Sequence, residues 1–126
     1  MAPRRKADPR PAGQFLPLTP AVFHILLALA DGEAHGYAIM LEVAERSSGV
    51  VKLGPGTLYG AISRLLEDGL IEESNERPGP EMDDSRRRYY RITPSGGAVL
   101  AAETQRLASL VRAARASKTI RKMKPA

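Results

Sequence analysis

The sequence predicts a mainly α fold with a small β-hairpin: three short helices, two strands around a long loop, and one long C-terminal helix. Three observations predict it. Apolar residues recur at three- and four-residue spacing along 37–44, 58–66 and 100–114. Two short runs, LIEES (70–74) and RRYYRIT (87–93), flank a stretch rich in Pro, Gly and acid. A Thr-Pro pair occurs twice, at Thr19-Pro20 and Thr93-Pro94, and each can open a helix.

A chain of 126 residues with 43% hydrophobic residues suffices for one domain with a modest core. Aromatic residues make up 5% and Trp is absent, so that core is aliphatic. The lack of Cys excludes disulfides and thiolate metal sites. No run of about 18 apolar residues exists to span a membrane, and MAPRRKADPRPAGQ lacks the apolar centre of a secretory signal. A cytoplasmic protein is expected. The net charge of +5 is unevenly spread. Residues 1–14 carry +3 and residues 112–126 carry +6, whereas residues 15–111 carry −4. The basic character therefore sits in two tails on a mildly acidic body, and polyanions can be bound only through those tails or local clusters. Solubility alone would equally account for basic tails.

Residues 1–14 hold three Pro and four Lys/Arg and are expected to form a disordered basic arm. The first helix follows Thr19-Pro20. Val22, Phe23, Ile25, Leu26, Leu27 and Leu29 leave it almost no polar face, so it is central, and Asp31-Gly32 ends it. HGYAIMLEVAERSSG predicts a second helix with Tyr37, Met40, Leu41 and Ala44 on one stripe, stopped at Ser47-Ser48-Gly49. PGTLYGAISRLLEDG predicts a third, with Leu58, Ile62, Leu65 and Leu66 buried and Thr57, Tyr59 or Gly60, Ser63, Arg64 and Glu67 opposite. The strand runs then enclose NERPGPEMDDS as a hairpin loop. In the second strand Tyr90 and Ile92 should face the core, Arg88 should stay wet, and Tyr89 should lie outside with Arg87 and Arg91. The last helix runs from Pro94 to about Ser117, with a stripe of Leu100, Leu107, Val111 and Ala114, and the chain from Lys118 onward is expected to fray.

Three helices followed by a hairpin is the winged helix-turn-helix arrangement, in which the second helix of the motif enters the major groove. The helix near Pro55 has suitable chemistry. Gly54 and Gly56 leave its start narrow, and free amides at a helix start attract phosphate. Thr57, Tyr59 and Ser63 can donate hydrogen bonds, Arg64 can reach guanine or backbone, and Lys52 flanks the start. Each residue alone is more often a solvated surface group, and Tyr59 could equally pack on the core edge; the constellation carries the reading. Gly60 costs the helix roughly 1 kcal/mol relative to Ala. The apolar stripe after a complete small domain calls for a partner surface: a second copy or the helix's own domain.

Together, LTPAVFHILLALADGEAHGYAIMLEV, LGPGTLYGAISRLLEDGLIEE and RRRYYRITPSGGAVL resemble the PadR family of transcriptional regulators. The resemblance rests on His35-Gly36-Tyr37, Gly56-Thr57-Leu58-Tyr59 and Arg88-Tyr89-Tyr90-Arg91-Ile92-Thr93, and it covers about residues 18–107. It implies a homodimeric winged-helix binder of double-stranded operator DNA, usually a repressor. Thr57, Tyr59, Ser63 and Arg64 would then face the groove. Arg86, Arg87 and Arg88 would hold backbone from the wing, and Tyr37 would reach a phosphate. The implied organisation is a winged domain at 15–93, a dimerisation helix at 94–117 and a basic tail at 118–126. Position 60 is often Pro in the family and is Gly here. The short C-terminal region resembles the compact branch, some members of which hold flat drugs between tryptophans; this chain has no Trp. A small aromatic effector is a candidate partner, and no cofactor is expected.

Catalysis has little support. His24 lies on an apolar helix, His35 sits in a turn, and Asp83-Asp84 are adjacent acids in a Pro/Gly loop, a setting in which such pairs usually point apart into water. Phosphate-loop, nucleophile and metal-ligand spacings are absent. The competing reading is an RNA- or protein-binding winged-helix module without operator specificity.

Overall fold

The computed structural model describes residues 10–74 and 88–123. A 3-10 turn (Ala12–Phe15) leads into helix α1 (Pro20–Ala28). Strand β1 (Ala34–His35), helix α2 (Gly36–Arg46) and helix α3 (Pro55–Glu67) follow. Strands β2 (Ile71–Ser74) and β3 (Tyr89–Ile92) precede the long helix α4 (Pro94–Ala116) and the short helix α5 (Lys118–Lys122). The fold is the expected one, mainly helical with a small sheet.

Capping explains where the helices begin. The Thr19 hydroxyl accepts the Val22 N–H at 3.2 Å, and Thr93 repeats the device on Gly96 at 3.0 Å. His35 opens α2: its Nδ1 accepts the Ala38 N–H at 3.1 Å. That role was not legible in the sequence, because His is a rare cap. The turn between α2 and α3 is closed by Ser47, whose hydroxyl accepts the Val51 N–H at 2.9 Å. Ser48 and Gly49 there take positive φ of 55° and 82°. Gly69, at φ 75°, ends the α3 segment and turns the chain into β2.

The core is aliphatic. Ile25, Leu26 and Leu29 of the α1 segment meet Ile39 and Val43 of α2, Leu58, Ile62 and Leu65 of α3, Leu70, Ile71, Tyr90 and Val99. Two expected stripes differ. Helix α2 buries Gly36, Ile39 and Val43, while Tyr37 and Leu41 point outward at 55% and 52% exposure. The stripe at 37, 40, 41 and 44 is thus not the buried one. The His35 cap and the β1 pairing set the start of α2 and so fix its rotation. Leu66 also lies out of the core, because Leu65 already fills the inward position of that turn.

The sheet has three antiparallel strands in the order β1-β3-β2, one more than the expected hairpin. Ala34 pairs with Tyr90, and Ile71 to Ser74 pair with Ile92 to Tyr89. Tyr90 is buried and Ile92 half-buried, as the alternation required. Tyr89 lies on the other face, its ring edge-on to His35 with centroids 5.3 Å apart.

Helix α4 is seated by a tight junction. The Thr93 hydroxyl donates to the Gly69 carbonyl at 2.7 Å, and the Thr93 N–H donates to the Leu70 carbonyl at 3.1 Å. A Cβ at Gly96 would fall 2.0 Å from that Leu70 oxygen. Two turns further along α4, Glu103 is 1% exposed. Its carboxylate accepts the Leu18 N–H at 2.9 Å and the Arg106 Nε–H at 2.5 Å, tying α4 to the entry of α1. The Arg106 hydrogen bonds, with the Leu18 amide, outweigh burial and hold the Glu103 carboxyl below the usual carboxylate range. Nothing in the sequence alone singles out this pair, because a Glu three residues before an Arg on a helix is usually a surface feature.

Both ends of the chain carry more structure than expected. Arg10 stacks 4.1 Å above the Phe15 ring and pairs with Asp68 at 3.4 Å, so residues 10–14 lie on the body. Residues 118–122 are not frayed: the Ser117 hydroxyl accepts the Ile120 N–H at 3.2 Å and starts α5.

Candidate nucleic-acid interface

Helix α3 divides cleanly. Leu58, Ile62 and Leu65 are buried, whereas Gly56, Thr57, Gly60, Ser63 and Arg64 are exposed along the opposite face, and Lys52 is exposed just ahead of them. Gly54 caps the helix without a side chain. No described side chain takes the first-turn amides of Gly56 and Thr57, which leaves the positive end of the helix open to an anion. Gly60 lies in the open: a Cβ there would meet nothing within 4 Å.

Tyr59 has a different setting from its neighbours. It is half-buried against the core, and a Cβ at Gly36 would fall 2.3 Å from its hydroxyl oxygen. Gly36 is therefore the residue that lets the front of α3 close on the start of α2. The neighbouring phenol of Tyr90 is pushed above its ordinary value by burial first, then by Glu73 and Tyr59, with Arg88 opposing.

The charges sort by pairing. Arg10, Arg46, Arg88, Arg91 and Arg106 are bound to Asp68, Glu42, Glu73, Glu72 and Glu103 respectively. Lys52 and Arg64, beside and on α3, have no ion pair among the described residues. Arg88 is exposed at the foot of the wing, 3.3 Å from Glu73. Arg86 and Arg87 lie outside the described residues, as do Asp83 and Asp84. Tyr37 stands exposed on the first turn of α2. A groove of about 470 Å³ runs between α1 and α3; Phe15, Leu18 and Val22 line one wall, Gly56, Gly60 and Arg64 the other.

On α4, the four expected contact residues do not share one environment. Leu100 packs partly on its own domain, Leu107 is half-buried, and Val111 and Ala114 are exposed. Leu110, not picked out in the sequence, is 54% exposed beside Val111. Among the described residues no group of three His, Cys, Asp or Glu could hold a metal ion, and no helix is long and apolar enough to cross a membrane.

The model of the transcriptional regulator PadR-like family matches residues 25–102, which include the whole helix-turn-helix, the described wing strands and the start of α4. The chain belongs to the PadR-like family. The transcriptional regulator Rv3488 of Mycobacterium tuberculosis is 38% identical over 89 residues, covering 71% of this chain and 77% of that protein. An uncharacterised 37.1 kDa protein in transposon TN4556 of Streptomyces fradiae is 41% identical over 86 residues, or 68% of this chain, but the match spans 22% of that larger protein. The crystal structure of a PadR family transcription regulator from Clostridium difficile R20291 superposes with a TM-score of 0.62 at 29% identity, covering 75% of this chain and 94% of that one. This PadR-family chain is a transcriptional regulator of the winged-helix type, and the family's function is regulation through DNA binding.

Proposed function

We propose that this PadR regulator binds a pseudo-palindromic operator as a homodimer and represses the gene behind it, in the cytoplasm. The observation that carries the reading is the outer face of α3. Its first-turn amides are open, its short polar side chains are exposed, and Lys52 and Arg64 have no acid partner among the described residues. Thr57, Ser63 and Arg64 meet base edges, while Lys52 and the Gly56 amide hold phosphate. Tyr59 braces the helix and offers its hydroxyl at the edge. Arg86, Arg87 and Arg88 grip backbone from the wing, and Tyr37 adds a phosphate contact. Residues 15–93 serve as the reading domain and 94–117 as the dimer helix. Exposed Leu110 and Val111 support a second copy there, with Leu107 and Ala114 beside them and Leu100 packing partly inward. Repression follows from occupancy: a bound dimer excludes polymerase.

Titration of the protein's own promoter duplex, an unrelated duplex and single-stranded RNA at several salt concentrations tests this. The promoter duplex should bind tightest, with log affinity falling by about 0.9 per neutralised phosphate for each unit of log salt. Equal binding to all three would defeat operator reading and favour a general RNA- or protein-binding module. Sedimentation as a monomer at micromolar concentration would defeat the homodimer. A promoter–reporter assay in which deletion of the regulator lowers expression would overturn repression.

A further inference from the structure

The cations left without acids occur in two places only among the described residues. One is α3, with Lys52 and Arg64. The other is the end of α4 and α5, where Arg112, Arg115, Lys118, Arg121 and Lys122 are all exposed. None of these five forms an ion pair with a described residue; Arg112 donates only to the Ser109 hydroxyl, at 3.2 Å. No Asp or Glu occurs in residues 104–126, so no acid close in sequence can neutralise them. The contrast with the body, where described arginines other than Arg64 carry acid partners, separates this cluster from an ordinary mixed-charge surface.

The local fold concentrates the charge. Ser117 breaks α4 and caps α5, so Lys118, Arg121 and Lys122 are held on a turn of helix. At 100° per residue those three fall on one side of α5, and Ile120 and Met123 fall on the other. Ile120 and Met123 are 46% and 65% exposed, as Leu110 and Val111 are on α4, so both helices present uncovered apolar side chains. A second copy that covers the apolar side leaves the cationic side outward.

We propose that this C-terminal cationic face is a second DNA contact, made to sugar-phosphate backbone without sequence preference. The proposal rests on the operator reading above and extends its footprint. Arg112 stands about 27 Å along α4 from Pro94 at 1.5 Å per residue. It therefore lies well away from the wing junction at Thr93-Pro94, so phosphates it and α5 meet are not those gripped at the foot of the wing. Double-stranded DNA is the occupant because the cluster is purely cationic, follows a DNA-reading domain in the same chain, and has no aromatic side chain among residues 104–123 on which single bases could stack. The acidic body of residues 15–111, at −4, leaves such a clamp to supply much of the electrostatic attraction.

The test is a full-length variant with Arg115→Gln, Lys118→Gln, Arg121→Gln and Lys122→Gln. These side chains are exposed and have no ion-pair partner among the described residues, so folding and dimerisation, followed by circular dichroism and sedimentation, should not change. Operator binding should weaken, and the slope of log affinity against log salt should become shallower by about 0.9 for each phosphate released. The preference for operator over unrelated duplex should be kept. An unchanged slope in a variant that still binds operator would overturn the clamp and leave the operator reading standing. A wild-type protein with no operator preference, but a slope that still depends on the four cations, would do the reverse. Tight binding to phosphatidylglycerol vesicles, lost in the variant while its DNA slope is unchanged, would reassign the face to a membrane surface and overturn the proposal.

Discussion

Gly36 and Gly96 face one kind of surroundings, Gly56 and Gly60 another. A Cβ at Gly36 would meet the Tyr59 hydroxyl at 2.3 Å, and at Gly96 the Leu70 carbonyl at 2.0 Å. At Gly56 and Gly60 it would meet nothing within 4 Å. All four sit in helices, where Gly is costly. The first two are accounted for by packing: they let α2 close on α3, and α4 close on the turn after α3. The second two have no internal reason, and both lie on the face of α3 that points to solvent. Of these two, Gly60 lies in the interior of α3, where it costs about 1 kcal/mol relative to Ala, and no contact among the described residues accounts for it; under the proposed operator reading it leaves room for DNA backbone.

Substitutions at these positions can break or sharpen the contrast. The largest effect is expected at Gly96. Gly96→Ala drives a methyl group into a backbone oxygen that cannot swing aside, and should cost about 3 kcal/mol or more in urea denaturation. Near-wild-type stability would show that the α4 junction is looser than described. Next is Glu103→Ala, which leaves the half-buried Leu18 amide without its acceptor and should cost about 2 kcal/mol. Gly36→Ala comes third, about 1–2 kcal/mol, because the tip of Tyr59 can shift. Its operator affinity should fall further than its stability, since the displaced Tyr59 carries the front of α3. Gly60→Ala is smallest and opposite in sign. It should stabilise by up to about 1 kcal/mol, yet weaken operator binding if DNA backbone approaches that face. Stabilisation with unchanged affinity would leave Gly60 unexplained.

The acid limb provides a further check on the Glu103 link. Its carboxyl titrates below the usual range in the folded chain. The stability it contributes is therefore fully present above the unfolded carboxylate pKa and is lost as pH falls through the lower folded value. Glu103→Gln should be less stable at neutral pH, and its stability should change less than wild type between neutral pH and strong acid. Parallel profiles for the two proteins would show that the carboxylate is not the group holding Leu18.

Much of the candidate interface could be read from the chain before the structure. The buried set Leu58, Ile62 and Leu65 and the exposed set Thr57, Ser63 and Arg64 follow from helical period alone. Tyr90 inward and Arg91 outward follow from strand alternation. The outward turn of Tyr37 and Leu41 could not be read in this way. Helix α2 offers apolar residues on nearly every side, so period leaves its rotation open, and the His35 cap with the β1 pairing decides it. The roles of Gly36 and Gly96 were hidden for a related reason. A glycine in a helix has no pattern of its own, and only the neighbour that occupies its missing side chain's space explains it.

The sequence by itself determined the order of the four main helices and the two wing strands, the two Thr-Pro helix starts, the polarity of α3 and the separation of basic ends from an acidic body. These depend on contacts a few residues apart, or on composition, and both are visible in one dimension. The tertiary structure decided which arginines are neutralised, that Glu103 holds the entry to α1 across 85 positions, and that β1 joins the wing. Ion pairs and buried hydrogen bonds between distant segments depend on distance after folding. A charge therefore looks the same in the sequence whether it is spent inside the molecule, as on Arg106, or left facing outward, as on Arg64 and Lys122.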